Sequence, residues 1–212
     1  MDTLQTLSLA MGTAWTSGIN LYATVAALGI AGRMQMIQLP TELQVLTHPA
    51  VIAVACVMYL IEFFADKVPY VDNGWDVIHT FIRVPAGAIL AARSLGDLNP
   101  ALELAALLAG GTIALAAHGT KTATRLALNV SPEPFSNWLA SFTEDLTVLG
   151  SIWMIFNHPL LMLILVVGFL AVIIWLIPKL WRMAKRGFQA LRDRMRGVKP
   201  DHPASNGSPQ VN

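Results

Sequence analysis

Apolar residues run through this chain in long blocks, not in the short rhythm of a soluble amphipathic helix. A helix needs about 20 residues to cross the hydrocarbon core of a bilayer. Against that length six blocks stand out, at about 3–32, 49–66, 75–95, 100–118, 138–157 and 159–178. The last is the plainest, with no charged residue from Pro159 to Pro178. Asn157-His158-Pro159 separates it from its predecessor and predicts a tight antiparallel hairpin. The pattern predicts an all-α fold, a polytopic membrane helical bundle of about six segments.

The first block is too long for one straight span, and Trp15-Thr16-Ser17-Gly18-Ile19-Asn20 interrupts it in the middle. A steeply tilted helix, a kink with Thr16 and Ser17 bonded back to their own backbone, and two half-helices around an unwound turn all fit. Backbone can unwind at membrane depth only inside protein or beside a wet cavity. In the fourth block Ala106, Gly110 and Ala114 recur at steps of four, which lets two helices approach closely.

Composition adds weight to the membrane assignment. Hydrophobic residues make up 55% and charged residues 13% of the 212, and mean hydropathy is +0.56. The net charge of +1 conceals a segregation: residues 1–178 carry six Lys/Arg against eleven Asp/Glu, whereas 179–212 carry eight against two. Positive charge confined to one short tail argues against nucleic acid as a partner. Cys56 lies alone in an apolar run and reads as a packing residue. No secretory signal is visible, because no basic residue precedes Arg33.

The basic tail also orients the bundle. With the C-terminus in the cytoplasm, six spans place Lys67, Lys121 and Arg125 inside and leave Arg33 and Arg93 outside. If the first block is re-entrant, the N-terminus moves outside and nothing else changes. Residues 1–178 are thus expected to form the bundle, and 179–198 a basic amphipathic helix at the headgroups, able to bind anionic lipid. Its apolar face would be Leu180, Met183, Ala184, Phe188, Leu191 and Met195. Residues 199–212 read as disordered from composition.

Ionisable residues in or beside spans are costly, at roughly 2.5–3.5 kcal/mol each near a helix centre, so they mark candidate sites. Glu62 and Asp66 are four apart at the end of the second block; Asp72, Asp76, His79 and Arg83 follow at helical spacing. His118, Lys121 and Arg125 share a face after the fourth, and Ser141, Glu144 and Asp145 open the fifth. Arg83, His118, Lys121, Arg125 and Asn20 could offer donors to a small anionic solute or a lipid headgroup. Glu62, Asp66, Asp76, Glu144 and Asp145 could bind a coupling cation or proton, or simply pair with the bases.

Gly18-Ile19-Asn20-Leu21-Tyr22, the run from Glu62 to Pro69, and His118-Gly119-Thr120-Lys121 together resemble the bacterial multi-pass membrane proteins of the domain-of-unknown-function 4126 family. The Arg83 neighbourhood and Ser141-Phe142-Thr143-Glu144-Asp145 share the likeness, which spans roughly residues 8–157. The resemblance implies a bacterial inner-membrane protein with no assigned activity, so no site role carries over from it.

Three functions remain in view. A small transporter or permease fits the charged cluster and the interrupted first segment. A structural or accessory protein, homo-oligomeric or not, would use the charges as internal pairs. An enzyme is less favoured, because no nucleophile elbow, zinc-helix motif, paired cysteine or phosphate loop occurs. A metal site built across helices from Glu62, Asp66, His79 and Glu144 would be its only chemistry. No cofactor is implied.

Overall fold

In a computed structural model, residues 1–68, 71–129 and 134–195 are described. All of their regular structure is helical: α1 (Thr3–Arg33), a short 3-10 helix (Thr41–Thr47), α2 (Pro49–Ala65), α3 (Val71–Ser94), α4 (Pro100–Asn129), α5 (Pro134–Asn157) and α6 (Pro159–Met195). The chain divides into two compact units, Met1–Leu170 and Ala171–Asn212.

Within the first unit α1 is the hub. It packs against α2, α3, α4, α5 and the 3-10 helix, and most of its residues from Ser8 to Gly29 are buried. Its interior is polar as well as apolar: Thr13, Thr16, Ser17, Asn20 and Thr24 are buried beside Leu9, Ala14 and Leu28. Outer faces show the reverse, with Phe81, Leu108, Phe142 and Ile164 exposed. Large apolar side chains pointing outward from a partly polar centre are what hydrocarbon solvent, not water, selects.

Three helical stretches, Pro100–Leu128, Phe135–Asn157 and Pro159–Lys179, are long and apolar enough to cross a membrane alone. The 3-10 helix and α2, bent by 65°, make a candidate fourth. These apolar helices fit a membrane protein. Six such blocks were expected. Helices α1 and α3 fall short on hydropathy for a physical reason: their polar residues face the protein interior and need no apolarity toward lipid.

Helix boundaries also move outward from the hydropathy blocks. Helix α4 continues past His118 to Asn129, and α5 begins at Pro134, ahead of residue 138. Hydropathy falls where charged residues begin, but the helix persists because those charges find partners within the bundle. The α5–α6 connection contracts to His158 alone, as its Asn-His-Pro turn suggests.

Helices α3 and α4 run antiparallel, since partners on α4 descend as α3 ascends: Thr80 meets His118, Gly87 meets Ala114, and Ala91 meets Gly110. Ala114 and Gly110 from the expected small-residue stripe thus lie in the closest seam. Gly18 of α1 is pressed onto α4, where a Cβ would collide with the Ala114 carbonyl and Ala117.

In the second unit the helix runs through Pro178 to Met195 without interruption. Lys179 Nζ lies 3.1 Å over the Trp175 ring, and Arg182 Nε donates to the Pro178 carbonyl at 3.1 Å. The side chains that define the expected amphipathic face, from Leu180 to Met195, and all of residues 196–212 lie outside the described set.

The seam gives a test. Gly18→Val should lower stability by about 1–3 kcal/mol through overpacking. Gly119→Ala, where a new Cβ meets nothing within 4 Å, should raise it by about 0.5–1 kcal/mol. Thermal unfolding in detergent micelles reads both, and equal effects would contradict the packing described.

Candidate functional site

Half-way along α1, Asn20 leaves the helical region, at φ −148° and ψ 98°. Its side chain then acts as an N-cap for the second half-helix: Oδ1 accepts from Ala23 N at 2.9 Å. The Ile19 carbonyl, at the end of the first half-helix, accepts from Arg83 Nη1 at 3.3 Å. A cation thus sits at a helix C-terminus, where the helix dipole favours it. Asn20 Nδ2 donates to Asp145 Oδ1 at 3.3 Å, which brings an anion to the start of the second half. Thr16 and Ser17 hydroxyls bond back to Thr13 O and Ala14 O. The break is therefore an unwound residue flanked by hydroxyl-bonded turns.

Around this break the ends of α2 and α4 and the starts of α3 and α5 converge. Arg83, fully buried, donates Nη2 to Glu62 Oε1 at 2.6 Å and Nη1 to Asp76 Oδ1 at 3.4 Å. Lys121 Nζ lies 3.2 Å from Glu62, 3.0 Å from Asp66, 3.2 Å from Glu144 and 4.0 Å from Asp76. Arg125 grips Glu144 in two places, Nε to Oε1 and Nη2 to Oε2, both at 2.9 Å. It also reaches Asp66 Oδ2 at 3.2 Å, the Asp66 and Asn137 carbonyls, and Ser141 Oγ.

Both imidazoles are tied into the network. Arg83 Nη1 donates to His118 Nδ1 at 3.2 Å, which leaves the His118 proton on Nε2, beside the Asp76 carbonyl and Thr80 Oγ1. His79 Nδ1 meets the Trp75 carbonyl at 2.8 Å, and its Nε2 lies 3.1 Å from Tyr22 OH. Asp145 is held by Tyr59 OH at 2.8 Å as well as by Asn20. Just past α2, Lys67 lies over the Phe63 ring, and burial there lowers its pKa from the usual lysine value.

All ten candidate residues named from the sequence meet here: Asn20, Glu62, Asp66, Asp76, Arg83, His118, Lys121, Arg125, Glu144 and Asp145. The side chain of Asp72, expected on the same stripe, lies outside the described set. Reading the sequence missed Tyr59, Thr80 and Thr122, the last donating to Asp76 Oδ2 at 3.2 Å. Tyr59 stands one helical turn before Glu62, a spacing that could have flagged it; Thr80 and Thr122 carry no signal beyond their neighbours.

The sum of charges is unbalanced. Among the described residues five carboxylates face Arg83, Lys121 and Arg125, with Lys67 close enough to act on Asp145 and Asp66, so the described carboxylates outnumber the described cations. Glu62 Oε2 and Asp66 Oδ1 are buried with no hydrogen-bond donor among the described residues. Among those residues, too, no three His, Cys, Asp or Glu side chains are set to hold a metal ion. The metal site once open to Glu62, Asp66, His79 and Glu144 is not assembled, because these carboxylates are taken up by Arg83, Lys121 and Arg125.

The family model for a domain of unknown function, DUF4126, matches residues 7–179, which contain the whole cluster. The chain belongs to the DUF4126 family. No curated protein and no solved structure matches it. In this DUF4126 member the runs that carried the resemblance are the cluster's own parts: Asn20 from the first, Glu62 and Asp66 from the second, His118 and Lys121 from the third.

Beside the cluster a crevice of about 550 Å³ opens between α4 and α5, floored by Trp15 and Ile19 of α1. Lys121 and Glu144 line it along with Thr120, Thr143 and Phe135. Glu144 is 15% exposed, more than Glu62, Asp66 or Asp76. Gly18 and His118 are close-packed and line no part of it.

Removing one member of a buried pair strands the other charge. Arg125→Met should therefore destabilise the protein by about 3–5 kcal/mol. Combining it with Glu144→Gln should recover part of the loss, as a double-mutant cycle in detergent would show. Strictly additive effects would mean that the two side chains do not interact.

Proposed function

We propose that this membrane protein is a small transporter whose buried cluster takes up and releases protons. The observation that carries this reading is the surplus of carboxylates over cations among the described residues, with oxygens of Glu62 and Asp66 that have no donor among them, around the break in α1. Surplus negative charge held away from bulk water is costly, and protons taken up there offset it. Broken helices with charged groups at their half-helix ends are also how ion-coupled carriers build sites near the bilayer midplane; this support is analogy.

The same geometry argues for a proton over the other candidates. Each of Arg83, Lys121 and Arg125 already faces two or more carboxylates, so an anionic solute would find few free donors and much repulsion. Lys67, Lys121 and Arg125 beside the cluster favour the cytoplasmic side of a bacterial inner membrane for it, and the proton would enter from there.

One observation favours a second reading. The ion pairs are short, and Gly18 and His118 are closely packed against their described neighbours, which suits an accessory protein that uses the cluster as a clasp.

A pH jump across proteoliposomes on a solid-supported membrane separates the two. Proton uptake predicts a transient charge displacement above that of empty liposomes, reduced in Glu144→Gln. Wild-type protein indistinguishable from empty liposomes would leave the clasp and refute the transporter.

A further inference from the structure

The crevice between α4 and α5 has properties that the cluster alone does not. Its volume of about 550 Å³ lies within the range of small-molecule sites. Its walls are one face of α4, through Ala117, Thr120 and Leu128, and one face of α5, through Leu139, Ala140 and Thr143. Most of that surface is apolar. At one place the lining changes character, where Lys121 and Glu144 reach it from the cluster. A ligand here must carry an apolar body and one charged or polar part.

The sign of that charge follows from the neighbours. Lys121 is buried with three carboxylates within 3.2 Å and a fourth at 4.0 Å, so its charge is already answered. Glu144, 15% exposed, is held by Arg125 and Lys121, yet the described carboxylates of the group it belongs to still outnumber the described cations. An anion at this end would meet the net negative field of the cluster, whereas a cation would complement it.

We infer that the α4–α5 crevice binds a lipophilic cation, its apolar body between the two helices and its positive charge against Glu144. This rests on the proton-exchanging reading and names the substrate class of that site. When the cation seats, a proton leaves the carboxylate cluster for water, and the charge of the buried group is unchanged. The exchange of one positive charge for another couples the two.

Tetraphenylphosphonium and tetraphenylborate share one shape and differ in sign, so together they read the field of the crevice. Binding to the full-length protein in detergent micelles is measured by isothermal titration, with protein-free micelles subtracted. Tetraphenylphosphonium should bind the wild type saturably and tetraphenylborate should not. Ala140→Trp, which narrows the crevice and removes no charged group, should weaken tetraphenylphosphonium about tenfold or more. Glu144→Gln should do likewise by removing the charge partner. Monodisperse elution confirms that each variant is folded, and Ala140→Trp keeps the test valid if Glu144→Gln does not fold.

Equal binding of the two ions, no saturable binding, or tetraphenylphosphonium binding unchanged in Ala140→Trp would overturn the inference. A pH-jump signal without tetraphenylphosphonium binding would refute the substrate class and leave proton uptake standing. Tetraphenylphosphonium binding without a pH-jump signal would do the opposite.

Discussion

Arg83 donating to the Ile19 carbonyl is the contact on which the rest of the interior depends. A helix that unwinds away from water must find partners for the backbone groups it frees. Here Asn20 caps the second half of α1, and Arg83 takes the last carbonyl of the first half. Placing a guanidinium at that depth then requires carboxylates around it. Glu62 and Asp76 meet that need, Lys121 and Asp66 extend it, and Arg125 with Glu144 closes it. One broken turn thereby fixes the positions of four other helix ends.

Such an arrangement is a poor way to gain stability. Buried ion pairs often do no better than apolar residues of similar volume, because desolvation offsets their attraction. Close seams at Gly18, Gly87 and Gly110, together with the packed apolar residues of α1, hold the bundle by ordinary contact. The charge cluster adds position and sign instead. Its carboxylate surplus, which meets the crevice at Glu144, gives the proton-exchange reading and the cation-binding crevice their common physical basis.

Much of this was legible in the sequence. Hydropathy blocks predict the helices, and the Trp15–Asn20 interruption leaves a tilt, a kink or a break open; the helix breaks at Asn20. Helical spacing alone groups Glu62 with Asp66, and His118 with Lys121 and Arg125. What spacing cannot supply is which opposing charges touch, so the bases looked available to an anion when they are surrounded by carboxylates. Helix ends were misplaced for a related reason: His118, Lys121 and Arg125 lower local hydropathy while remaining fully helical. Tyr59 and Thr80 join the network across helices, and no periodicity within one segment reports that. The crevice depends on the spacing between α4 and α5, which both lie against α1 without packing tightly on each other, and nothing local encodes such a gap.

Whether the buried cluster holds protons is open to direct observation by infrared spectroscopy of the protein in nanodiscs near neutral pH. A protonated carboxyl has a C=O stretch apart from that of a carboxylate, and exchange into heavy water shifts it. Proton-balanced burial predicts such a band in the wild type, diminished in Glu62→Gln or Glu144→Gln. A spectrum with carboxylate bands alone, unchanged in those variants, would contradict it.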